Sequence, residues 1–228
     1  ASDFIVFANG DQLSTGSSEV ELSIANPVGF GFLDEGGAMG QLSLNGTQLS
    51  TDAANPSRLN GLSLSGHSLT LNSAASIETQ TGTEMSGNIH LQAADALTVD
   101  GSLTTLDGTS RENPEANTGG SIFLEGSEVA LNGAQITSLI DGRALDAGII
   151  DITSSGSITA TDAQVLSYSR RGRNGGSAEI KLTAGESIVL DNTVLAAARN
   201  GNQSIAEGTG DITLSADEQL MLENSAVL

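Results

Sequence analysis

The sequence predicts an all-β fold: a right-handed parallel β-helix, a three-sheet solenoid of about seven coils with its loops gathered at one corner. Three observations predict it. An internal repeat recurs at near-constant spacing, aliphatic residues alternate within each copy, and the apolar residues include very few aromatics. Hydrophobic residues make up 38% of the 228 positions and aromatics only 3%, with 28 Gly against 3 Pro. A globular core of this size draws on Phe, Tyr and Trp to fill irregular space. Leu, Ile, Val and Ala instead suit ladders, in which each side chain packs on a similar one from the next layer.

The repeat is clearest in Gly87-Asn88-Ile89-His90-Leu91, followed by Ala96-Leu97-Thr98-Val99. Copies open with apolar anchors at Leu62, Ile89, Ile122, Ile150, Ile180 and Ile212, spaced 27 to 33 residues apart. Each copy holds two short strands of the form apolar–x–apolar, about six residues apart. Four anchor positions in six copies make 24 sites, and Leu, Ile or Val fills 23 of them, with Ala160 the exception. Those three residue types occupy 51 of 228 positions, so chance would place about five.

A third strand follows 14 or 15 residues after each first anchor, with Ile77, Leu103, Ile136, Val165, Leu195 and Val227 as its inward residues. Small or polar residues come next, as in Ile77-Glu78-Thr79 and Ile136-Thr137-Ser138. A polar segment of variable length then leads to the Gly that opens the next coil, the longest running from Asp107 to Thr118. Insertions confined to one corner of a regular repeat are how solenoids carry variation. Three short strands per coil imply a triangular cross-section, with alternation turning one side of every strand inward.

Between the paired anchors, eight of 12 residues are polar: Ser63, Thr70, His90, Thr98, Asp151, Thr159, Lys181 and Thr213. Phe123, Ala130, Val189 and Met221 depart from this; they read as scattered surface hydrophobes, with a small exposed apolar strip of Val189 and Met221 on consecutive coils as the alternative. The chain divides into residues 1–39, an irregular β segment, and residues 40–228, the β-helix repeats. In the first part, Val20 to Ile24 reads as a strand and Asn26 to Leu33 as an aromatic plug or loop folded against the helix. Leu42-Ser43-Leu44 and Leu49 match the second and third strands of a coil, with Gly46 aligned to Gly133. The chain opens and closes inside apolar patterns, so it is expected to be part of something longer or a protomer that continues into a neighbour.

Net charge is −20, from 28 acidic and 8 basic residues. This disfavours nucleic acid and anionic lipid, both of which are bound through clustered Lys and Arg. The charge is read as favouring solubility over side-by-side aggregation. No apolar run approaches the length of a membrane-spanning helix, so no membrane insertion is expected. Cysteine is absent, but a solenoid carries its own continuous core without disulfides.

Two features resemble the filamentous haemagglutinin-like exoproteins of two-partner secretion, especially the large cyanobacterial type. One is Asn26-Pro27-Val28-Gly29-Phe30-Gly31-Phe32-Leu33. The other is the coil pattern Gly-x-Ile-x-Leu, Ala/Gly-x-x-Leu-x-Leu, Ile-x-Thr/Ser and a Gly-rich loop, from about Gly40 to the C-terminus. The resemblance implies that residues 1–39 are the end of a secretion-domain-like region. It also implies export through an outer-membrane transporter partner, an extracellular location, and an adhesive shaft displayed at the cell surface. End-to-end stacking into a homopolymeric filament is the alternative.

A polysaccharide-active β-helix enzyme is the third and least favoured reading, and enzymatic activity is not expected. The outward row Ser63, His90, Phe123, Asp151, Lys181, Thr213 offers no pair of acids placed to flank a substrate, and Asp151 with Lys181 reads as an ion pair. His67 and His90, without Cys, cannot make a zinc site. Neither the nonapeptide calcium repeat nor an EF-hand loop is present, although the Asp141 to Asp146 loop carries oxygen ligands. No cofactor is expected. Arg170, Arg171 and Arg173 hold three of the eight basic residues on one loop, which reads first as a solvated loop and otherwise as a contact point for an acidic partner, such as an anionic polysaccharide, a cell-surface ligand or the acidic surface of a neighbouring protomer.

Overall fold

The computed structural model describes residues 4–8, 21–23, 28–33, 41–45, 48–53, 62–66, 68–81, 88–108, 120–141, 148–170, 178–200 and 210–228. Side chains are described at 64–66, 68–71, 75–78, 88–105, 120–139, 148–168, 178–198 and 210–228. Among the described residues every regular element is a strand, and every strand pairing is parallel. Parallel pairing in a solenoid lets each coil hydrogen-bond to the coils before and after it, and aliphatic ladders then form along the axis.

Three faces result. On the first, Leu62, Ile89, Ile122, Ile150, Ile180 and Ile212 stand in one register. On the second the row is Leu69, Leu97, Val129, Ile158, Ile188 and Leu220. The third carries Ile77, Leu103, Ile136, Val165, Leu195 and Val227. All three rows are the anchors expected from the repeat. Leu42, Leu44 and Leu49 join the second and third faces as expected, opposite Leu69, Leu71 and Ile77. Glu21–Ser23 forms a strand within the segment read as one, and pairs with Gln48–Ala53.

The described first face has eight strands, so its rungs exceed the expected seven or so coils. Two of these rungs precede the first recognised copy. Phe4–Ala8 pairs with Val28–Leu33, which pairs with Leu62–Gly66. The aromatic segment is therefore a strand of the first face, not a plug or loop. Val28 and Phe30 stand opposite the anchors Leu62 and Leu64. The segment follows the same apolar–x–apolar rule, masked in the sequence by Gly29 and Gly31, a residue type depleted in strands.

The interior of the four coils opening at Ile89, Ile122, Ile150 and Ile180 is a continuous aliphatic column, with the anchors essentially inaccessible to solvent. Ala160, the exception among the anchors, is buried too. It stands between Leu131 and Leu190 on adjacent rungs, so larger neighbours flank the smaller side chain.

Two tight corners keep the ladder unbroken. At the first, the amides of Ala94, Ser127, Gly156, Glu186 and Glu218 donate to carbonyls of adjacent coils at 2.7–3.0 Å. At the second, one residue per coil adopts the left-handed region: Gly133 (φ 67°), Asp162 (54°), Asn192 (48°) and Asn224 (48°). Gly pays no Cβ penalty there, and Asn and Asp are the residues that otherwise tolerate it. The Ile89 coil lacks this extra residue, so Ala96–Gly108 runs through the corner as one long strand. The 14-residue offset of Ile136 has a different origin, a first corner one residue shorter, with Leu124 and Val129 five apart where Leu91 and Leu97 are six apart.

Candidate functional site

The outer row of the first face is the richest group of functional side chains among the described residues. Register places Ser63, His90, Phe123, Asp151, Lys181 and Thr213 on successive rungs, as alternation predicts. A second outer row beside it reads Gln92, Glu125, Thr153, Thr183 and Ser215.

These groups engage one another. The His90 and Phe123 rings meet edge to face, with centroids 6.0 Å apart and planes at 78°. Such cross-strand aromatic pairs favour this geometry because the positive ring edge meets the negative ring face. Gln92 Nε2 donates to Glu125 Oε2 at 2.9 Å, and His90 Nε2 lies 4.0 Å from the same oxygen. Lys181 Nζ is 3.7 Å from Asp151 Oδ2, the ion pair expected from the sequence. Thr153 Oγ1 donates to Asp151 Oδ1 at 3.1 Å. The pair is 44% exposed at Lys181 and 27% at Asp151, so it adds little to stability.

The second face keeps the other expected neighbours. Val189 and Met221 stand in register on consecutive coils, with Met221 39% exposed and Val189 half-buried, so the alternative of a small apolar strip describes them better than scattered hydrophobes. Along the αL corner Asn192 Nδ2 donates to Asp162 Oδ1, joining two rungs through side chains. Among the described residues no group of three or more His, Asp or Glu is placed to hold a metal ion.

The third face and its corner hold what the sequence reading missed. Thr105, Ser138 and Ser167 occupy one inward row and are completely buried. Their hydroxyls donate to carbonyls of the residues that open coils: Thr105 and Ser138 to Gly120 O at 2.8 and 2.9 Å, and Ser167 to Gly148 O at 2.9 Å. Thr105 precedes the long 109–119 segment and Gly120 follows it, so this bond ties the two ends of the insertion together. The Ile-x-Thr/Ser pattern was visible, but its role needed the register. Outside the same face, Leu139 and Tyr168 are neighbours in register, and Leu166 lies two residues before Tyr168 on its strand. All three are half-buried, where mostly small or polar residues were expected.

Of the expected contact residues, Arg170 ends the strand Gln164–Arg170, with its backbone opposite Asp141 and Asn200. The Arg170 side chain, Arg171 and Arg173 lie outside the described residues, as do His67 and residues 142–146 of the Asp141 to Asp146 loop.

Fold and faces together define a class: a rigid parallel β-solenoid scaffold with a polar first face and its variable segments at one corner. No protein-family model, curated protein or solved structure matches the chain.

Proposed function

We propose that the chain is the shaft of an exported, surface-displayed or secreted protein that works by rigid presentation and weak repeated adhesive contacts rather than by catalysis. The observation that supports this best is the division of labour within each coil. In the four coils opening at Ile89, Ile122, Ile150 and Ile180 the anchors are buried aliphatics in register, while most length variation falls in the segments after the third strand. The Thr105–Gly120 bond across the longest of these segments lets a loop vary without moving the coil. The polar groups of the first face hold one another across rungs, an arrangement suited to a stiff surface. The resemblance to filamentous haemagglutinin-like exoproteins supports the exported location, with an outer-membrane transporter as the export partner.

The test is direct. Antibody raised against the purified chain should label intact cells of the source organism or its culture medium. Label that appears only after lysis sinks the reading.

End-to-end stacking into a filament is the second reading. Each coil pairs in parallel, register to register, with a coil of the same pattern. A coil of a second copy would pair by the same backbone rule. Light scattering and electron microscopy of the purified chain distinguish the two: filaments favour stacking, and a dispersed monomer removes it.

A further inference from the structure

We infer that the first face carries a binding site for an uncharged, hydroxyl-rich chain, a neutral oligosaccharide, centred on Phe123. This rests on the geometry of the face alone and holds wherever the protein is displayed.

From His90 to Thr213, where the side chains of this outer row are described, every position but Phe123 is polar. Its ring is half-buried and braced from the preceding rung by the edge of His90. The braced ring gives a fixed apolar platform among mostly polar neighbours, with Ile149 an exposed apolar side chain on the following rung. Hydrogen-bonding groups surround it at set positions: Gln92 and Glu125 on one side, Asp151 and Thr153 on the following rung, and Lys181 one rung beyond.

Each of these groups is oriented by a neighbour yet keeps spare capacity. Glu125 Oε2 takes the Gln92 amide, and a carboxylate has further lone pairs. Asp151 is held by Thr153 and Lys181, and the Lys181 ammonium has more protons than that contact uses. Orientation before binding lowers the ordering cost of a ligand. The four rungs from His90 to Lys181 span about 14 Å at the strand spacing of a sheet, long enough for several sugar rings.

The apolar C–H face of a pyranose fits the ring, and its hydroxyls fit alternating donors and acceptors. A polyanion is disfavoured by the net charge of −20 and by Lys181 being already paired with Asp151.

The test is a titration of the whole isotopically labelled chain with cellohexaose, xylohexaose and mannohexaose, read by amide chemical shifts, with hexalysine as the charged comparison. At least one hexasaccharide should bind weakly, with a dissociation constant on the order of 1 mM. Shifts should be confined to residues around 90–92, 123–125, 151–153 and 181. Phe123→Ala should weaken binding about tenfold, and Phe123→Tyr should retain it. Phe123 is on the outer row, and an unchanged melting curve for Phe123→Ala checks that the coil is intact. The inference is overturned if none of the three sugars binds, if binding survives Phe123→Ala, or if hexalysine alone shifts these residues.

Discussion

Ser167 donates its hydroxyl to the carbonyl oxygen of Gly148 across 2.9 Å, and both residues are buried. The bond links the end of the third face to the residue that opens the same coil. Removing the hydroxyl leaves a buried carbonyl short of a donor, at a cost of about 1–3 kcal/mol. Ser167→Ala should therefore lower the unfolding free energy by that amount, seen as a lower urea midpoint with an unchanged slope. The penalty should fall toward the low end, because Ala197 occupies the same row on the next coil without disrupting it. A midpoint equal to that of the parent protein would show that the hydroxyl row is incidental.

Glycine is demanded for two different reasons at two corners, and the reasons predict different outcomes. A Cβ on Gly148 would sit 1.9 Å from Gly120 O and 2.6 Å from Ser138 Oγ. Backbone would have to move, so Gly148→Ala should abolish the cooperative transition or lower it by several kcal/mol, on the order of 3. At Gly133 the nearest atom to an added Cβ is Asp100 Oδ1 at 3.4 Å, so only the positive φ resists substitution. Gly133→Asn should be near neutral, and Gly133→Ala should cost about 1–2 kcal/mol. Thermal melts of the three variants decide the matter, and equal losses at both sites would refute the distinction.

The same corner makes a second comparison. Asn192 holds φ 48° and joins its rung to Asp162 through its side chain. Asn192→Gly removes the side-chain bond but relieves the backbone, so it should change stability by less than about 1 kcal/mol. Asn192→Ala loses the bond and keeps the strain, and should cost more. An equal or larger cost for Asn192→Gly in denaturant titrations would show that the positive φ does not govern this position.

The solenoid was readable in the sequence because its signal is repeated. Each anchor, such as Ile150 or Leu190, is one vote for the same register, and all three rows appear where alternation places them. Asp151–Lys181 and Val189–Met221 were readable for the same reason, since a fixed coil length turns sequence spacing into neighbours. Val28–Leu33 was misread because its Gly residues weaken strand propensity and it lies before the first regular copy. The partners of Ser138 and Ser167 were not readable. A buried hydroxyl and a surface one look alike in a polar stretch, and the acceptors are backbone atoms 18 and 19 residues away.

Charge falls unevenly along the axis. Asp151 faces Lys181, but Glu179 stands opposite Asp211 and Asp191 opposite Glu223. The amide of Glu218 also donates to the carbonyl of Glu186, which brings two more acids to adjacent rungs. Like charges directly opposite each other destabilise a sheet, by about 0.2–1 kcal/mol per pair. Asp211→Lys should therefore raise the melting temperature at low salt, and the gain should shrink as salt screens the pair. Lys181→Met should be nearly neutral, because its ion pair is exposed. A gain for Asp211→Lys that persists unchanged in 1 M salt would rule out the electrostatic origin.

The alternation of each strand gives the sharpest contrast between neighbouring residues. Leu190 is completely buried in the aliphatic column, while Val189 beside it points outward. Leu190→Ala removes buried methyl groups and leaves a cavity between Ala160 and Leu222, the residues on the rungs either side. The cost should be about 2–5 kcal/mol, whereas Val189→Thr should stay within about 0.5 kcal/mol. Each coil contacts only its neighbours, so the damage from Leu190→Ala should also be local. In hydrogen exchange, amides of the Ile180 and Ile212 coils should lose protection first, while Ile122 to Gly126 retain theirs. Uniform loss along the whole chain would mean that the coils fold as one cooperative block.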